Sequence, residues 1–235
     1  DGNDSTGLKL ASPPQSGFCG EKRSENLDTG DPEVTEWSVR PDDYGNFLCR
    51  VFDRWVQRDV GRAFVQQIDM ALTKWVGQPG GLCYFSETCG RALAIEHDGS
   101  LYACDHYVYP HYRLGNILER PFAEMADSPE MKAFGEHKRD SLPRYCRECE
   151  LLFACNGECP KHRFATTPDG EPGLNYLCEA YQQFFRHVAP AMSIMADLIQ
   201  QRRAPAEIMP LLRNDPKLLE RARAQMASND KDGRQ

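Results

Sequence analysis

Apolar positions first recur with a helical period after Pro41-Asp42-Asp43, where Phe47, Leu48, Val51, Phe52, Trp55 and Val56 share one face. The spacing predicts a core-facing helix, and Cys49, beside that stripe, is expected to pack as a small apolar side chain. Before it, residues 1 to 40 carry Gly, Pro, Ser, Asp and Asn with scattered apolar residues, the composition of a flexible arm or surface loop. Cys19, inside that arm, has no cysteine or histidine nearby and reads as an exposed bystander. A second helix is expected over Arg62 to Trp75, with Phe64, Val65, Ile68, Leu72 and Trp75 on one face, although Ala63-Phe64-Val65 also suits the start of a short strand. Gly77, Pro79, Gly80 and Gly81 then break the pattern and set a boundary near residue 78.

Beyond that boundary the period changes to two. Leu93, Ile95, Leu101 and Ala103 alternate on either side of Asp98-Gly99, a strong hairpin turn signal, so Arg91 to Cys104 is expected to fold back on itself and bring Cys89 beside Cys104. Helical stretches follow around Pro121 to Phe134, Glu179 to Arg203, Ala206 to Leu212 and Pro216 to Met226, with Ser228 to Gln235 frayed. The expected class is α+β, in four parts: an arm over 1–40, helices over 41–78, a cysteine-rich region over 79–186, and C-terminal helices with a tail over 187–235.

Composition narrows the function. A net charge of -7 and a pI near 5.4 disfavour non-specific binding to nucleic acid or an anionic membrane surface. There is no apolar run of membrane-spanning length and no secretory signal at Asp1-Gly2-Asn3-Asp4, so the chain reads as cytoplasmic. Ten cysteines could form disulfides in an exported protein, but crowding five of them into residues 146–178 is the habit of metal ligands.

That run reads Cys146-x2-Cys149-x5-Cys155-x3-Cys159-Pro160, with Cys178 after a polar loop. The step from Cys155 to Cys159-Pro160 is similar to the ferredoxin run whose cysteine before proline crosses to a second cluster. Cys83, Cys89 and Cys104 supply the rest of that second set. Cys83, Cys89, Cys104 and Cys159 are therefore expected to form one four-thiolate site, and Cys146, Cys149, Cys155 and Cys178 the other. Spacing leaves open zinc or iron-sulfur occupancy. Asp105, directly after a ligand cysteine, is a candidate proton acceptor or a hydrogen-bonding support; spacing weighs these equally. His106 and His162 lie near ligand positions, whereas His97, His111, His137 and His187 read as surface residues. Tyr107, Tyr109 and Tyr112 are expected to pack around a loop or line a peptide pocket.

Beyond spacing, several stretches resemble a known family. Cys83-x5-Cys89-Gly90, Ala94-Ile95-Glu96-His97-Asp98-Gly99, Tyr102-Ala103-Cys104-Asp105-His106-Tyr107, Leu114-Gly115-Asn116-Ile117, Cys155-Asn156-Gly157-Glu158-Cys159-Pro160-Lys161 and Asn175-Tyr176-Leu177-Cys178 are similar to the C-terminal SPASM domain of anaerobic sulfatase-maturating enzymes, over roughly residues 40 to 200. The resemblance implies that Tyr44-Gly45-Asn46-Phe47-Leu48 ends a partial radical S-adenosylmethionine barrel and that the two cysteine groups bind two auxiliary 4Fe-4S clusters. It implies oxidation of a Cys or Ser in an unfolded sulfatase peptide to Cα-formylglycine, with Asp105 as the proposed base and an electron-donor protein as a further partner. The Cys-x3-Cys-x2-Cys motif of the radical-generating cluster is absent from the 235 residues. That third cluster and S-adenosylmethionine are expected in a portion outside them, the chain reading as a fragment, split gene product or remnant. The competing expectation is an independent zinc-binding or iron-sulfur interaction module without catalysis.

Overall fold

The computed structural model describes residue 34 and residues 37–232. Most of the expected arm, with Cys19, lies outside the described residues. Helix α1 (Pro41–Arg58) opens with proline at its first position and Asp42 and Asp43 in its first turn, where backbone N–H groups lack partners and negative charge is favourable. Leu48, Cys49, Phe52, Trp55 and Val56 are buried, as the stripe predicts; Phe47 is not, at 59% exposure. Helix α2 (Gln66–Trp75) begins four residues later than its apolar spacing suggested. The Asp69 carboxylate accepts the Val65 N–H at 2.9 Å, and the Trp55 indole donates to Ala63 O at 2.8 Å, so 62–65 is held as a turn, neither helix nor strand. Phe64 therefore leaves the helical face and stands exposed.

These two helices pack on α7 (Cys178–Gln200), the longest element, whose other neighbours are α8 (Ile208–Asn214) and α9 (Leu218–Asp232). Phe52, Ile68, Phe184, Phe185, Val188 and Met192 meet in one core that runs from residue 48 to residue 209 in sequence and also takes in Phe85 and Leu151. Residues 228–232, expected to fray, continue α9.

The cysteine-rich region lies on the N-terminal end of α7. Its hairpin forms as predicted: β1 (Ala94–Ile95) pairs antiparallel with β2 (Ser100–Tyr102), and the Asp98 carboxylate accepts the Ser100 N–H at 2.9 Å. A third strand, β3 (Arg113–Asn116), pairs with the other edge of β2. Arg-Leu-Gly-Asn has no alternation, so pattern alone misses it. The helical stretch expected from Pro121 divides at Ser128 into α3 (Phe122–Ala126) and α4 (Pro129–Asp140), because Ser128 Oγ accepts the Met131 N–H at 3.2 Å and caps the second helix. Short helices α5 (Arg144–Arg147) and α6 (Leu152–Cys155), then the β4 (Ala165–Thr166) and β5 (Pro172–Leu174) ladder, complete the region. Its own apolar cluster is small, built on Ala103, Tyr112, Met131 and Phe134. No helix among the described residues is long and apolar enough to cross a membrane.

Candidate metal centres

Turns and helix ends, not regular strands, carry the cysteines. Cys146 lies in α5, Cys149 follows it in the next turn with its N–H on Cys146 O at 3.2 Å, Cys155 ends α6, and Cys178 begins α7. These four thiols line one cavity, walled by Tyr145, Leu151, Leu152, Leu174 and Phe185. Cys83 opens a 3₁₀ turn (Cys83–Phe85), Cys89 follows it, Cys104 stands just past β2, and Cys159 precedes Pro160. They line a second cavity with Tyr107 and Phe134. Each cavity thus holds one of the two four-cysteine sets grouped from spacing.

The switch between cavities is made in the three residues separating Cys155 from Cys159. Asn156, Gly157 and Glu158 all take left-handed backbone conformations, with φ of 48°, 67° and 53°. Asn tolerates that region; Glu does not, at a cost of roughly 1 kcal/mol. At Gly157 a Cβ would run into Leu142 and lie 2.7 Å from Arg163 Nη2, so glycine is required there. What holds the turn is the guanidinium of Arg163, only 1% exposed. It donates to Gly157 O at 2.8 Å, Asn156 O at 2.9 Å and Glu158 O at 3.2 Å, and reaches Lys138 O of α4 at 2.7 Å. The buried Glu158 carboxylate accepts from Asn175 Nδ2 at 2.6 Å and faces His162 Nδ1 at 2.8 Å, which holds the His162 pKa above its usual value. Asn175 in turn accepts the Leu177 N–H at 2.7 Å, setting the turn that presents Cys178. Arg163, Glu158 and Asn175 were not anticipated; the clustering of charged and amide residues around Cys159 was the available signal.

The donor set suits a soft metal or an iron-sulfur cluster. All eight cysteines are free thiols. Burial pushes Cys104, Cys155 and Cys159 up to about 12 and Cys146 up to about 11, with neighbouring thiols adding to the rise at Cys146 and Cys155. Four converging thiolates would repel one another in so dry a cavity, and positive iron or zinc is what relieves that repulsion. Second-sphere donors are also present: the His106 N–H points to Cys104 Sγ at 3.4 Å and Gln182 Nε2 to Cys178 Sγ at 3.3 Å.

Asp105 is exposed at the rim of the Cys83 cavity, its N–H anchored on Ala92 O at 3.0 Å and its Oδ1 accepting from the Cys104 thiol at 3.2 Å. With the thiol deprotonated on iron, that donor is gone and Oδ1 is free. His106 lies on the same rim, its Nδ1 3.7 Å from Cys159 Sγ. Tyr107 and Tyr112 pack edge to face at 4.8 Å and both meet Phe134, so packing is their use. Tyr109 instead takes the Lys161 ammonium on its hydroxyl at 3.1 Å. Of the remaining histidines, His187 is no simple surface residue, since its Nε2 faces Asp53 Oδ1 at 2.6 Å across α7 and α1.

Comparison with known proteins bears on this arrangement. Residues 83–150 match SPASM, an iron-sulfur cluster-binding domain. A serine-type anaerobic sulfatase-maturating enzyme of Bacteroides thetaiotaomicron is 49% identical over 181 residues, 77% of this chain and 44% of that protein. A cysteine-type enzyme of the same description from Clostridium perfringens is 29% identical over 166 residues, 70% of this chain and 44% of that protein. The solved structure of native anSMEcpe with bound AdoMet and Kp18Cys peptide superposes with a TM-score of 0.61 at 29% identity, covering 71% of this chain and 46% of that one. The chain thus spans less than half the length of these relatives.

Proposed function

We propose that this chain, a relative of the anaerobic sulfatase-maturating enzymes that carries the SPASM iron-sulfur domain, is the auxiliary-cluster portion of a radical S-adenosylmethionine enzyme that oxidises a sulfatase side chain to Cα-formylglycine. The observation that carries the reading is the convergence of eight thiols into two cavities of four. Cys83, Cys89, Cys104 and Cys159 hold one 4Fe-4S cluster, and Cys146, Cys149, Cys155 and Cys178 the other. When bound, such clusters supply one-electron acceptors and donors near the substrate. The radical-generating cluster and S-adenosylmethionine belong to a portion outside these 235 residues, and an electron-donor protein completes the cycle. The substrate is an unfolded sulfatase peptide, and serine is its favoured target: the serine-type relative is 49% identical, the cysteine-type relative 29%.

Conversion of a seryl CH2OH to an aldehyde removes two protons and two electrons. One hydrogen would leave the β-carbon as an atom to the radical that the S-adenosylmethionine portion generates, the remaining electron would pass to a cluster, and the hydroxyl proton needs a base. Asp105 supplies it, because it is the exposed carboxylate at the rim of the Cys83 cavity and its Oδ1 is released once Cys104 is metal-bound. Lys161, two residues past Cys159, is held on Tyr109 and also stands 5.1 Å over the Tyr107 ring, which fixes its cation in place.

The test is anaerobic reconstitution with the AdoMet-binding portion present. About eight irons with matching sulfide per chain are expected, and Asp105→Asn should keep them while formylglycine yield falls on the order of a hundredfold or more. Stoichiometric zinc without iron would overturn the cluster reading. Loss of iron from Asp105→Asn would make Asp105 a support of the cluster instead of a base.

A further inference from the structure

Lysine in the last turn of a helix normally extends to solvent beside the terminal carbonyls. Lys138 in α4 does neither. It is 0% exposed, and its stem crosses to the 3₁₀ turn that carries Cys83. There the ammonium donates to Cys83 O at 2.6 Å, to Tyr84 O at 2.9 Å and to Ser86 O, which uses all three N–H groups on carbonyls of this turn and of the residue after it. The same helix receives the next ligand: the Cys89 N–H bonds to Gly135 O at 3.0 Å, and a Cβ at Gly135 would lie 2.6 Å from Cys89 O. One turn of α4 therefore fixes both Cys83 and Cys89.

All three acceptors of Lys138 are neutral, and among the described residues no carboxylate forms an ion pair with it. Burial pushes the Lys138 ammonium down to about 8, and Arg163 adds to that fall; Cys89, Cys159 and Cys83, three of the four thiols of this cavity, act the other way and favour the charged form. A buried cation with only thiolates as counter-charge is built for an occupied site. A thiolate-bound 4Fe-4S cluster is net negative and gains another negative charge on reduction, so a fixed buried cation favours the reduced state. Among the described residues, the buried cation that acts on the other cavity is Arg163, which acts on Cys146 and on Cys89 alike and so does not separate the two sites. Arg186, which acts on Cys178, has a side chain 56% exposed and bonded to Glu150 at 3.0 Å, where water screens it.

We infer that Lys138 is the positioning residue of the Cys83–Cys89–Cys104–Cys159 site and that its buried charge holds the cluster there at a higher reduction potential than the cluster on Cys146, Cys149, Cys155 and Cys178. The inference rests on the cluster reading above.

The experiment is anaerobic reconstitution of wild type, Lys138→Arg, Lys138→Gln and Lys138→Met, with iron and sulfide content, far-UV circular dichroism and an EPR-monitored redox titration on each. Wild type should show two potentials. The neutral variants should lower the higher one and leave the lower in place, or lose about four of about eight irons. Lys138→Arg, which keeps the charge, should retain both clusters and stay nearer the wild-type potential. Loss of one cluster from both neutral variants with retention in Lys138→Arg counts for the positioning role, which the charge and the hydrogen bonds of Lys138 both serve. Both potentials unmoved in an iron-loaded Lys138→Met, an equal shift of both, or Lys138→Arg behaving as Lys138→Met would overturn it alone. Wild type that takes zinc and no iron overturns the cluster reading and this inference together.

Discussion

Phe184 and Arg163 are both almost fully buried, at 0% and 1% exposure, but what surrounds them differs in kind. Phe184 stands on α7 among Phe52, Phe85, Phe185 and Val188, in a core assembled by removing apolar surface from water. Arg163 is surrounded by carbonyls, as is Lys138. The helical region is therefore held by non-directional burial that tolerates adjustment. The cysteine-bearing region has a four-residue apolar cluster and relies on a few directional polar bonds and, by our reading, on metal. The first kind of order is spread over many positions; the second is concentrated in a few, so single changes there should propagate.

The largest expected effect follows. Metal removal by a chelator should open residues 83–178 to hydrogen exchange while α1 and the middle of α7 stay protected, because structural metal sites contribute on the order of 10 kcal/mol to folding. The pH dependence should reverse sign with metal. Where the metal-free region stays folded, burial pushes Cys104, Cys155 and Cys159 up to about 12, above the unfolded value of about 8.5. The folded state then binds more protons, so stability is full below about pH 8.5 and falls as pH rises toward 12. Loaded protein needs thiolates and should instead weaken as pH falls. Thermal melts of both forms across pH 6 to 10 check this, and parallel slopes would break the contrast.

How legible each region was in sequence follows the same divide. Helices α1, α2 and α7 leave a 3.6-residue apolar stripe, and errors there were local: Phe64 was placed on a helix face that the Asp69 cap begins only after it. The cysteine sets could be grouped because Cys-x2-Cys and Cys-Pro are local steps. Lys138 could not be read, since its partners lie up to 55 residues away and carbonyls have no letter in the sequence. Strand β3 was missed for a related reason: it is defined by backbone bonds to β2, not by its side chains.

An intermediate effect should come from the apolar core. Phe184→Ala should cost about 3 to 5 kcal/mol in global stability, because it removes a large buried ring that its neighbours only partly replace. Iron content at temperatures well below melting should nevertheless stay near wild type, since that ring itself lines neither cysteine cavity. Measuring denaturant midpoint and iron on one preparation tests the separation. Loss of iron in step with stability would show that the two regions unfold as one unit.

The smallest expected effect lies on the polar pair that joins the helices. His187 on α7 and Asp53 on α1 meet at 2.6 Å, but their side chains are 31% and 51% exposed, so water competes for both partners. Pairs of that exposure contribute about 0 to 1 kcal/mol. His187 also sets its ring edge to face against Phe52, with centroids 6.2 Å apart, so replacement should remove some packing as well. His187→Ala, Asp53→Ala and the double variant, compared by denaturant unfolding, separate the two contributions: the coupling energy isolates the pair and the remainder belongs to the ring. A coupling below about 1 kcal/mol fits a helical region held by burial alone. A coupling above about 2 kcal/mol would mean that α1 is clamped to α7 by a directional bond, as the cysteine loops are clamped to α4, and the contrast between the two regions would fail within the helical one.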